Sequence, residues 1–336
     1  LIKKHFEHIP TQPNGRERIL FPVPDHNETL IAIATDPEAT QTSVGLYFKK
    51  ELLPEKTVGD YRRFLIDYLY DDLMNIRLDE LSQKADPPIL YGVSGKGQFV
   101  RSKGVYYLAA GVQDGGVKRG LDAILTEAKR VKKYGFTQAE FERGKKVALR
   151  RMERAYLERD KTESSRYASE YVRHFLTDEP IPGIEFEFEL YKKIIPEIRL
   201  QEINRLAEDR ITDRNRVILV NASEKEDTDV PSEDELLAVF ETVEQKEIEP
   251  YVDNVSDRPL IEEGPEPAEI VQETRIDTLS ILRPRERIVP HFRPTRPESR
   301  VYWPIEVPNR RAHLQTRFKS RWPGTIIEPV PGPMTC

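Results

Sequence analysis

The order of strand-like and helix-like segments predicts an α+β fold: a mostly antiparallel sheet with helices packed on one face, followed by a disordered tail. Three observations carry this. Strand candidates come in close pairs, the helices cluster after them rather than alternating one for one, and the composition changes past Tyr251.

The elements follow in order. Residues 1–10 read as the amphipathic end of a helix, and Thr11 to Pro24, with Pro, Asn and Gly, as a linker. Thr29 to Ala34 and Ser43 to Phe48 are two apolar strand runs split by Asp36-Pro37. Thr57 and Asp60 then form a capping-box pattern. Behind it Leu65, Leu69, Leu73 and Ile76 recur at steps of 4, 4 and 3, one face of a long helix that Asp86-Pro87-Pro88 ends. Ile89 to Val93 and Val105 to Val112 make a second strand pair. Val117, Leu121, Ile124, Ala128 and Val131 mark another helix, closed by Gly135. Thr137 with Glu140 opens a long charged helix to about Asp160, and a shorter one carries Tyr167, Tyr171 and Phe175. Helices over 184–195 and 200–210, a buried-type strand from Arg216 to Val220, and a helix capped by Ser232 and Glu235 complete the body.

The domain expectations are 1–10 as the end of a preceding domain, 11–24 as linker, 25–250 as the folded body, 251–282 as an acidic Pro-rich linker and 283–336 as a disordered tail. From Arg283 on, ten prolines and ten arginines share 54 residues. The net charge of −6 is the sum of +6 from Ile276 onward and −12 before it. An acidic body excludes the basic stripe that nucleic acid requires. No apolar run approaches the roughly 18–20 residues of a spanning helix, and no signal peptide or initiator Met opens the chain, which reads as a piece of something longer. Cys336 is the single cysteine, so there is no internal disulfide and no thiolate zinc site.

Several local strings are specific. Val23-Pro24-Asp25-His26-Asn27-Glu28-Thr29-Leu30 leads to Ala34-Thr35-Asp36-Pro37-Glu38-Ala39-Thr40. Val58 to Arg63, Asn75 to Leu81, Lys161 to Ser164 and Glu170 to Leu176 follow. Over about residues 1–275 these resemble the second, non-catalytic domain of large bacterial members of the insulinase/pitrilysin family of zinc metallopeptidases. The resemblance implies a mitochondrial-processing-peptidase-like fold, a peptide chamber clamped between two halves, and a zinc site of HxxEH type in the preceding, catalytic domain. It makes residues 1–10 the end of that catalytic domain. The expected partners are that domain of the same polypeptide and a peptide substrate, with no nucleic acid and no membrane span. The expected location is the bacterial periplasm or cytoplasm.

HxxEH itself is absent. His5-Phe6-Glu7-His8 is HxEH on a helix that stops at Pro10, and two histidines fall short of the three protein ligands that zinc hydrolases use. The expectation is therefore no catalytic residue and no metal in this chain, with zinc bound only in the intact parent. The alternative is a zinc-free binding or assembly subunit of the same fold that partners an active peptidase subunit. Arg77 and Tyr91 are the candidate substrate contacts. The resemblance supplies the idea from an assisting domain of the family, where an Arg and a Tyr in this element contact the substrate backbone, although the spacing of 14 departs from that pattern. The competing reading pairs Arg77 with Asp79 or Glu80 and packs Tyr91 at the core edge. The Asp25 to Glu28 string reads as a solvated turn, His174 as packed or capping, and Asp71-Asp72 and Asp79-Glu80 as exposed helix residues. Gly95-Lys96-Gly97-Gln98 lacks the Lys-Ser/Thr of a phosphate loop and reads as a bulge or turn. The tail from Ile281 leaves the family pattern and reads as an out-of-frame gene end.

Overall fold

In the computed structural model the described residues are 2–10, 15, 19–224, 229–253, 273–276 and 281–284. The chain divides into two units, Leu1–Asp257 and Arg258–Cys336.

Unit 1 holds a five-stranded sheet, β1 (Leu30–Asp36), β2 (Thr42–Lys50), β3 (Tyr91–Val100), β4 (Lys103–Val112) and β5 (Arg216–Ser223), in the order β1-β5-β2-β4-β3. β1 and β5 are parallel, and the remaining pairs are antiparallel. The first two strand runs look like a hairpin in the sequence, yet β5 inserts between them. Its Val217-Ile218-Leu219-Val220 run buries Ile218 and Val220 fully, which a central position allows and an edge would not. β3 and β4 do form a hairpin, and β3 runs on through Gly95-Lys96-Gly97-Gln98, with its irregularity only between Gln98 and Val100.

Helices cover one face. α1 is Ile2–Phe6, α2 Val58–Ser82, α3 Val117–Tyr134, α4 Gln138–Leu157, α5 Ser164–Thr177, α6 Ile184–Glu197, α7 Leu200–Arg210 and α8 Glu233–Gln245. The capping boxes at Thr57/Asp60, Thr137/Glu140 and Ser232/Glu235 all form, each satisfying orphan amides of a helix start. The core joins Val44, Leu46 and Phe48 of β2 and Tyr106, Leu108 and Ala110 of β4 to Leu65, Leu69, Leu73 and Leu78 of α2 and Leu121, Ile124 and Val131 of α3. Each such side chain, fully withdrawn from water, contributes about 1.5–3 kcal/mol. On α2 the expected Ile76 is exposed, and Arg77 and Leu78 turn inward instead, because Arg77 finds two carboxylates there. α5 is the contrary case. None of its residues is buried, and Phe175 is 83% exposed.

In unit 2, β6 (Glu273–Ile276) and β7 (Ile281–Pro284) form an antiparallel pair where the sequence reading placed linker and the start of the tail. The rest of the expected disordered tail, 285–336, lies outside the described residues.

Candidate functional site

Strand alternation sends every second residue of β2, β3 and β4 away from the helices. On that open face three tyrosines meet three glycines. Tyr91 stands opposite Gly111, and Tyr107 opposite Gly95. A Cβ on Gly111 would meet the Tyr91 ring at 2.1 Å, one on Gly95 the Tyr107 ring at 2.6 Å, and one on Gly45 the Tyr47 ring at 2.7 Å. The three rings therefore lie down over bare backbone, each filling the place of an absent side chain. Tyr47 and Tyr107 stack with centroids 6.1 Å apart at 27°. Val93 and Ala109 are partly exposed on the same face. The result is a floor carrying phenol hydroxyls, with Lys49 beside Tyr47 on the same face and donating to the Pro24 carbonyl. Partial burial, with each ring's neighbours, holds the Tyr47 hydroxyl above its usual range. Burial and then the nearby Asp71 charge do the same at Tyr107, so both stay protonated donors at neutral pH.

The sheet edge beside this floor is guarded. Asn75 of α2 accepts from the Ser94 amide at 2.6 Å and donates to the Ser94 carbonyl at 3.0 Å. A side-chain amide thus occupies the bonding positions a further strand would need at that point of β3. The Ser94 hydroxyl donates to Asp71 at 2.9 Å and lies 3.1 Å from the Tyr106 hydroxyl. Behind them Asp67 is held by Arg210 at 2.5 Å and Lys96 at 2.6 Å, and Arg210 lies over the Tyr70 and Tyr106 rings. Burial pushes the Asp71 carboxyl up to about 6, against the opposing pull of Arg210. The Tyr106 hydroxyl is pushed up to about 12 by burial. Asp71 and Asp72 are therefore not the exposed helix residues expected. Asp71 is drawn toward Ser94 and Asp72 toward Arg151 at 2.5 Å. Asp79 and Glu80 are exposed, as read.

Arg77 and Tyr91 are not brought together on one surface. Tyr91 is 46% exposed on the open floor. Arg77 is 1% exposed inside the helical layer, bonded to Glu140 at 2.8 and 3.0 Å, to Glu127 at 3.1 Å and to the Gly135 carbonyl at 3.2 Å. Neither Asp79 nor Glu80 is its partner. The expectation of substrate contact at Arg77 is corrected by this enclosure: its donors are committed to an internal ion cluster that closes α2, α3 and α4 against one another.

The other candidates resolve as local structure. The His26 ring bonds the Glu28 carbonyl at 2.7 Å, and Asn215 accepts from the His26 amide, tying the approach to β1 to the approach to β5. The His174 ring bonds the Glu179 carbonyl beyond the end of α5. His5 lies in α1, His8 lies beyond its end, and both are exposed. Among the described residues no group of three or more His, Cys, Asp or Glu is placed to hold a metal ion. Nor is any described helix long and apolar enough to cross a membrane.

Sequence reasoning passed over Tyr47, Tyr107 and the three glycines. The signal was there as glycines scattered through apolar strands, which mark close approach. Reading it requires the register, since Gly111 and Tyr91 are 20 residues apart and meet only across β3 and β4.

Comparison with known proteins finds this fold among peptidases. Residues 1–147 match the family model of the peptidase M16 inactive domain. The chain is also similar to a PqqL-like zinc protease. It is 29% identical over 273 residues to a zinc protease PQQL-like protein of Arabidopsis thaliana, covering 81% of this chain and 26% of that protein. In fold it is similar to the first half of the periplasmic protease PqqL from Escherichia coli, with TM-score 0.67, 17% identity and coverage of 75% and 54% of the two chains. Against the whole of that protease the TM-score is 0.68 and the coverage 81% and 30%. The chain thus spans about a quarter of the length of the curated relative it matches.

Proposed function

We propose that this chain is the non-catalytic domain of a zinc-dependent metalloendopeptidase, that its tyrosine floor forms part of the wall of the peptide-binding chamber, and that it supports the catalytic domain of the same polypeptide. The observation that carries the reading is the open face of the sheet, paved by Tyr47, Tyr91 and Tyr107 and bordered by an edge already occupied by Asn75. Such a floor suits an extended peptide lying across it, held by ring contact and by hydroxyl donors rather than by charge. Tyr91 keeps its proposed place as a substrate contact. Arg77 is proposed to act from within, by holding α2 against α3 and α4 and so keeping the sheet in shape.

Cleavage would be supplied by the catalytic domain of the intact parent, where zinc would activate a water alongside a Glu base. This chain's residues are proposed to bind and orient only. The unpacked Tyr171 and Phe175 of α5 are the proposed contact with that domain, since exposed apolar residues at helical spacing mark an interaction site.

The experiment joins the chain to the HxxEH domain that this reading requires upstream in the gene and measures peptide hydrolysis. Tyr91→Ala with Tyr107→Ala is expected to raise KM about tenfold with kcat nearly unchanged, the size expected for two lost ring contacts. Unaltered KM in a folded double variant removes the floor from the account. Efficient hydrolysis by the HxxEH domain without this chain favours the assembly-subunit reading instead.

A further inference from the structure

Beyond α8 the chain crosses back over the helical layer, and it is attached in an unusual way. Among the described residues, the one main-chain to main-chain hydrogen bond in residues 246–253 runs from the Lys246 amide to the Val243 carbonyl. The other ties involve side chains. Lys129 of α3 donates to the carbonyls of Val243, Glu244 and Lys246 at 2.6–3.0 Å. Arg130 donates to the Glu249 carbonyl at 3.0 Å and Tyr134 to the Ile248 carbonyl at 2.7 Å. Lys246 pairs with Asp122 of α3, and Asp253 with Arg143 of α4. Tyr251 donates to Glu80 of α2 and lays its ring 4.1 Å from the Arg77 guanidinium carbon. Ile248 alone in the segment is buried, and Val252 points outward.

We propose that residues 246–253 are a releasable strap, a segment held by side chains of α2, α3 and α4 over the Arg77 ion cluster, whose detachment leaves the fold of unit 1 intact and lengthens the tether to the chain beyond Asp253. The inference is independent of the chamber reading. Its physical basis is a contrast in attachment. The strands below are joined by main-chain ladders, and the helices by a continuous apolar core. The strap has a single apolar anchor and otherwise polar and ionic ties, the kind of region that opens locally at low cost. Arg77 keeps Glu127, Glu140 and the Gly135 carbonyl when the strap leaves, so the buried cluster stays paired and only the more exposed Asp122 and Arg143 lose a partner. Eight residues peeled free add about 25 Å of reach, at roughly 3.3 Å per extended residue.

The test is fluorine NMR on the full chain carrying 3-fluorotyrosine, with the Tyr251 signal assigned by its loss in Tyr251→Phe. Raising NaCl from about 0.1 M to about 1 M shortens the screening length from about 10 Å to about 3 Å. A second Tyr251 resonance at the position of solvent-exposed tyrosine should grow with salt, while the Tyr70 and Tyr106 signals and the helical circular dichroism stay fixed. Arg143→Ala should raise the released population about fivefold, the upper range for one partly exposed pair. A single Tyr251 resonance at every salt concentration up to global unfolding overturns the proposal. So does loss of that resonance together with those of Tyr70 and Tyr106.

Discussion

Leu108 and Tyr107 are neighbours on β4, with the same backbone and the same strand partners, yet they belong to two different regions. Leu108 is fully buried under α2 and α3. Tyr107 lies over Gly95 on a face that no described helix covers. The helical face is packed with branched side chains and closed by buried ions. The open face has three glycines where side chains would stand, and tyrosines spread across them. Antiparallel sheets commonly face water on one side, and an uncovered face carrying aromatic rings is the kind of surface that contacts a partner. The difference separates what holds this domain up from the face on which the proposed function rests.

The comparison can be broken most forcefully at Arg77. Arg77→Met leaves Glu140 buried without its cation and Glu127 with Arg130 alone, and should cost about 3–5 kcal/mol in urea unfolding, as buried pairs do when one partner goes. A loss below about 1 kcal/mol would mean that the cluster does not hold the helices together.

Next comes the β4 pair itself. Leu108→Ala should cost about 2–5 kcal/mol through the cavity it opens. Tyr107→Ala should cost only about 0.5–1.5 kcal/mol, the worth of ring contacts over an exposed backbone. Equal losses would show the two faces to be equally structural.

A further effect is set by pH. The Asp71 carboxyl is pushed up to about 6 in the fold from an ordinary value of 3.8, by burial. The folded state therefore holds this proton to higher pH than the unfolded state does, and stability falls as pH rises from about 4 to about 6. Asp71→Asn should flatten that slope and leave the protein more stable at pH 7 by up to about 3 kcal/mol. The check is the urea midpoint at several pH values, and an unchanged slope in the variant would locate the proton elsewhere.

Much of the fold was legible because its signals are local. Three capping boxes marked helix starts, and the apolar steps of α3 named its buried face residue by residue. What was not legible depends on pairing over distance. The insertion of β5 between β1 and β2 joins segments nearly 190 residues apart. The inward turn of Arg77 depends on carboxylates 50 and 63 residues further on. The tyrosine floor likewise exists only once β3, β4 and β2 are in register. Of the two residues singled out beforehand, Tyr91 lies on that floor and Arg77 lies on the far side of the sheet, in the helical layer.

The central claim is that this chain binds and supports but does not cleave. It is tested most directly by assaying a fluorogenic peptide with the purified chain plus zinc, with the HxxEH domain alone, and with the two combined. The account predicts no turnover by the chain, weak turnover by the HxxEH domain and a marked rise on mixing. Chelator-sensitive hydrolysis by the purified chain alone, or no gain on mixing, would contradict it.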